Sequence, residues 1–98
     1  MSDYLAPLRD MRFVIHELVG AAPICALPAY AECDGALIDA VLEEAARFAG
    51  DVLSPLNAVG DREGAHWQRG PGGQGQVSTA SGFAAAYQTA LAPGDALF

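Results

Sequence analysis

Apolar residues recur along this chain at the spacing of helices. Leu8, Met11, Val14, Ile15 and Leu18 fall three and four positions apart, so they line one face of a helix that opens at Pro7. Arg9, Asp10, Arg12 and Glu17 lie mostly off that stripe. Proline suits a first helical turn, because the N–H it lacks would have no partner there, and Gly20 ends the pattern. Residues 20 to 33 read as an apolar connector. Pro23 and Pro28 interrupt any helix there and leave room for one short turn. The longest stripe follows, through Leu37, Ile38, Val41, Leu42, Ala45 and Phe48 and on to Leu56. Asp34 is placed to cap it, since a short carboxylate accepts from the unpaired N–H groups of a first turn. Asp39, Glu43, Glu44, Arg47 and Asp51 take the opposite side, with Glu43 and Arg47 at the i,i+4 spacing of a weak ion pair. Pro55 removes one backbone donor and predicts a kink, with a stop at Asn57 or Gly60.

From Asp61 to Ser78 the helical pattern disappears. The run Arg69-Gly70-Pro71-Gly72-Gly73-Gln74-Gly75-Gln76 carries no large apolar group and reads as a flexible loop. Its glycines do not make a phosphate loop, because no lysine follows them, nor a dinucleotide fingerprint, because no strand leads in and no helix follows directly. A third stripe, Phe83, Ala86, Tyr87, Ala90 and Leu91, predicts a helix that starts at Thr79 or Ser81 and ends before Pro93. The expected fold class is all-α: about three amphipathic helices, over residues 7–19, 35–57 and 80–91, with a flexible Gly-rich loop over 61–78. The whole of 1–98 then forms one partial helical domain, and its last residues, 95–98, carry no pattern.

Composition weakens the expected core. Hydrophobic residues make up 52 % of the chain, but 20 of them are alanine. Charge narrows the partners. Five arginines and no lysine stand against twelve carboxylates, for a net charge of −7. No basic stripe is present to neutralise phosphates, so neither nucleic acid nor an anionic membrane is an expected partner. Cys25 and Cys33 are expected as reduced core thiols rather than a disulfide. A zinc site would need two further ligands, and His16 and His66 lie in no metal-binding spacing. The apolar stretch Phe13–Ala31 resembles a signal-peptide core. His16, Glu17, Pro23 and Pro28 break it and also exclude a membrane-spanning helix. The chain reads as cytoplasmic.

Little of the chemistry needed for catalysis is visible. Glu43 and Glu44 are adjacent on a helix, so they point about 100° apart and cannot flank one substrate atom. They read as solvated face residues. His16 could act as a general base, yet no serine or cysteine stands at a spacing that makes it a partner; it is expected as a partly buried histidine. Trp67 with His66 could form a shelf for a flat ligand, but Trp67 is expected to anchor the loop on the helices. No catalytic, cofactor-binding or metal-binding residue is assigned.

Several blocks, taken in order, resemble a known family. Pro7-Leu8-Arg9-Asp10-Met11-Arg12-Phe13 is similar to the opening of bacterial acyl-CoA dehydrogenases of the methylmercaptopropionyl-CoA dehydrogenase-like branch. Leu42-Glu43-Glu44-Ala45-Ala46-Arg47-Phe48-Ala49, then Leu53-Ser54-Pro55-Leu56-Asn57 and Gly60-Asp61, resemble its next block. The spacing of Trp67, Val77, Thr79, Gly82-Phe83 and Ala86-Tyr87 resembles the one after. The resemblance runs over roughly residues 3 to 91.

The resemblance implies a flavoprotein of fatty acid metabolism that oxidises an acyl-CoA thioester between its α and β carbons. In that family an N-terminal helical domain precedes a β-barrel and a C-terminal helical bundle. FAD and thioester lie between the domains, and the catalytic carboxylate comes from far downstream. This chain departs from the pattern in the run 70–76, which reads as an insertion, and at Ala80, where the branch has proline. It departs again after Leu91, where the residues read as a truncated or frame-shifted end. The expected function is therefore an N-terminal helical domain or fragment of such an oxidoreductase. By itself it would be inactive and without cofactor, and would be completed by the remaining domains or by self-association through apolar helix faces. The alternative is an autonomous helical module that binds a partner protein and has no catalytic activity.

Overall fold

The computed structural model describes residues 4–92. Its backbone is mostly helical. α1 (Leu8–Phe13) runs without a break into a wider π-helical stretch, Val14–Val19, that ends at Gly20. The connector holds more structure than its prolines suggest: α2 (Ala21–Cys25) and a 3-10 turn, Pro28–Tyr30. Pro23 is tolerated because it sits in the first turn of α2, where backbone N–H groups have no helical partner in any case. α3 (Gly35–Phe48) begins as its sequence predicts, with the Asp34 carboxylate accepting from the Leu37 N–H at 2.8 Å.

Beyond Phe48 the helix continues. A π-helical stretch, Ala49–Leu53, leads directly into α4 (Ser54–Glu63), so the kink expected at Pro55 takes the form of a widened turn just before it. The stop expected at Asn57 or Gly60 falls instead at Gly64, whose N–H closes the last turn on the Gly60 carbonyl at 2.8 Å.

Of the loop expected over 61–78, residues 61–63 extend α4 and most of the rest is a β-hairpin. β1 (His66–Arg69) pairs antiparallel with β2 (Gly75–Ser78), in the register His66 with Ser78 and Trp67 with Val77. The glycines make the tight reversal. Gly72 and Gly73 both adopt left-handed φ of 83°, and the Gly70 N–H bonds to the Gln74 carbonyl at 2.6 Å. Glycine content that reads as flexibility thus serves a turn. α5 (Phe83–Leu91) starts two to four residues later than expected, after Gly82 at φ 88°.

α1 packs on α3, with Met11, Val14, Ile15 and Leu42 around the apolar part of that seam. α5 lies beside α4, and the Phe83 ring approaches Gly60 so closely that a Cβ there would stand 2.7 Å from its tip. What is buried is small: Ala21, Gly50, Ala80, Ala86 and Ala90 among the described residues. Among the described residues no large side chain is fully buried. The radius of gyration is 18.2 Å, against about 13 Å for a compact chain of this length. The helices lie open rather than folded onto one core.

Candidate functional site

Among the clefts left between helix faces is an apolar one of about 410 Å³, between the α3–α4 rod and α5. Phe48, Leu53 and Leu56 form one wall, Phe83 and Tyr87 the other, and Asn57 is the polar residue among them. Ala86 and Ala90 face it as small residues, which leaves it open. Its volume is that of a small-molecule pocket and its lining is suited to hydrocarbon. Phe48 is half-buried, while Leu53 and Tyr87 remain 46 % and 63 % exposed. The stripe read from the sequence is present, but it is only partly covered.

A polar seam joins α1 to α3. Arg12 Nη2 donates to Glu43 Oε1 at 2.6 Å, and its Nε stands 3.7 Å from Asp39. His16 Nε2 pairs with Asp39 Oδ1 at 2.7 Å. The Cε1–Nδ1 side of the imidazole lies beside Gly35, where a Cβ would stand 3.6 Å from Cε1, so the ring sits in the joint between two helices. His16 is half-buried, as the sequence suggests. Glu43 is not a bystander on a solvated face. It pairs with Arg12, while Arg47 turns to Glu44 instead of Glu43. The guanidinium of the neighbouring helix takes Glu43, leaving Glu44 at i,i+3 as the partner of Arg47. The hydrogen bond that Arg47 donates to Glu44 raises the Arg47 pKa.

His66 and Trp67 do not form a shelf, and Trp67 does not anchor the hairpin on the helices. The indole is 61 % exposed and lies over Gly75, with the Arg69 guanidinium 5.8 Å from the ring centre. Arg69 Nη1 also donates to the Gly73 carbonyl at 3.0 Å, so Trp67 and Arg69 stabilise the hairpin itself. Glu63 was not singled out by the sequence. It accepts from both the backbone N–H of Ser81 at 3.0 Å and the Ser81 hydroxyl at 2.8 Å, tying the end of α4 to the turn before α5. Those two bonds hold its pKa below the usual carboxylate range. A Glu and a Ser eighteen residues apart give no local signal of such a link.

Cys25 and Cys33 are free thiols, as expected, but half-buried at a turn rather than in a core. Among the described residues no group of three or more His, Cys, Asp or Glu is placed to hold a metal ion. Nor is any described helix long and apolar enough to cross a membrane.

The chain is 37 % identical over 84 residues to the 3-methylmercaptopropionyl-CoA dehydrogenase of Ruegeria pomeroyi. Over this stretch the chain is related to an acyl-CoA dehydrogenase. The match covers 86 % of this chain but 13 % of the dehydrogenase, so the chain spans only a small part of that relative. No family model and no solved structure matches it.

Proposed function

We propose that this chain is the N-terminal helical part of an FAD-dependent acyl-CoA dehydrogenase-like oxidoreductase, where it walls the acyl pocket and packs against neighbouring domains. The observation that carries this reading is the uncovered apolar cleft between Phe48, Leu56, Phe83 and Tyr87, in a chain related to a dehydrogenase of acyl thioesters. An apolar acyl chain or an apolar domain surface would remove the same side chains from water.

The residues described do not fit FAD by themselves. A dinucleotide pyrophosphate needs cationic side chains or free N–H groups in a cradle. Here no arginine lines the cleft; Arg12 and Arg47 are engaged in ion pairs, Arg69 is tied into the hairpin, and Arg9 and Arg62 are exposed side chains outside the cleft. The glycine N–H groups of 70 and 73 bond within their own turn. The chain therefore supplies a surface and no step of the oxidation, and alone it neither binds flavin nor oxidises a thioester. Under this reading it works in the cytoplasm.

The test is a graft. Exchanging the matched segment of the Ruegeria pomeroyi dehydrogenase for this chain should give a yellow protein that still oxidises its thioester. Leu56→Asp in the graft should abolish turnover by placing a charge in the cleft. A folded, flavin-loaded graft without turnover would contradict the proposal.

A further inference from the structure

The two thiols of this chain stand together at one joint. Cys25 is the last residue of α2, Cys33 directly precedes the cap of α3, and their sulfurs are 3.8 Å apart. Chance folding of a floppy connector does not explain this closeness. Four backbone hydrogen bonds hold the intervening turn: Leu27 to Ile24, Tyr30 to Leu27, Ala31 to Pro28 and Cys33 to Tyr30, at 2.9–3.3 Å. Pro28 further fixes the backbone at the start of the 3-10 turn. Both side chains are partly open to water, so a small thiol reagent can reach them.

We propose that Cys25 and Cys33 form a reversible redox pair, closing to an intramolecular disulfide by exchange with a low-molecular-weight disulfide such as glutathione disulfide. One protein thiolate attacks a glutathione sulfur, forming a mixed disulfide and releasing one glutathione thiolate. The second protein thiolate attacks the protein sulfur of that mixed disulfide and releases the second glutathione. Two thiols are oxidised, one glutathione disulfide is reduced to two glutathiones, and the two protons go to solvent or to the released thiolates. The product staples the end of α2 to the start of α3. Partial burial and the adjacent Cys33 sulfur raise the Cys25 thiol, so the exchange quickens as pH rises.

The experiment treats the 98-residue chain with glutathione disulfide in native buffer and in urea, and reads intact mass after alkylation. The native chain should lose two hydrogens, remain unalkylated at both positions, and recover both thiols in reduced glutathione. Cys25→Ser and Cys33→Ser should each stop at one glutathionyl adduct. Because the folded turn pre-positions the thiols, closure of the mixed disulfide should be at least about tenfold faster in native buffer than in urea. Two glutathionyl groups on the native chain, a disulfide between chains, thiols that stay reduced, or equal rates in both solvents would each overturn the proposal.

Discussion

Glu63 shows how much one side chain can settle. Its carboxylate accepts two hydrogen bonds from Ser81, and both favour the charged form. Because its folded pKa lies below the unfolded one, the link contributes stability above the unfolded value, about 4.3. That contribution is lost as pH falls through the folded value. Ser81→Ala removes the hydroxyl donor and keeps the backbone one, so it should raise the Glu63 pKa part of the way toward the ordinary range in a carboxyl NMR titration, and an unchanged titration would show that the hydroxyl bond does not form in solution. The seam residues make a second case. Arg12 and Glu43 are partly exposed, so their coupling in a double-mutant cycle should fall at about 0.2–1 kcal/mol in urea melts. A coupling indistinguishable from zero would remove Arg12 as a link between α1 and α3. Neither contact is legible in the sequence. Period marks Arg12 and Glu43 as polar-face residues, and only the packing of one helix on another makes them neighbours.

At the scale of elements, glycine decides two boundaries differently. Gly82 and Gly72 both hold left-handed φ, so alanine at either costs about 1–2 kcal/mol in backbone strain. At Gly82 the new methyl would also stand 2.8 Å from the Leu56 side chain, whereas Gly72 has open space. Gly82→Ala should therefore lower the helical melt followed by circular dichroism. Gly72→Ala should melt the hairpin alone, with the helical transition unchanged. A shared loss in both variants would mean that hairpin and helices unfold as one unit. α1 and α3 were legible because their stripes and the Asp34 cap are local signals. The hairpin was not, because its eight strand residues are all exposed and carry only Trp67 and Val77 as large apolar groups. The extension of α4 past Gly60 was hidden for a related reason: the absent side chain there is filled by the Phe83 ring from a distant helix. The cleft could be read only in part, since the stripes predict apolar faces but not that Ala86 and Ala90 are too small to fill the space between them.

The whole molecule is left with large apolar side chains in water. Leu37, Val41, Leu53, Phe83, Tyr87 and Leu91 are all exposed, along with Val14, Leu18 and Val19 near the first helix. A soluble monomer rarely shows an apolar patch beyond a few hundred Å², and the net charge of −7 opposes association only weakly where screening acts within about 8 Å. Under the proposed function, neighbouring domains of a dehydrogenase cover these faces. Sedimentation velocity on the isolated chain at micromolar concentration, read together with binding of a dye to apolar surface, tests that claim most directly. Dimers or larger species with strong dye binding are expected. A compact monomer that binds no dye and melts cooperatively would contradict it, and would mark the chain as an autonomous helical module.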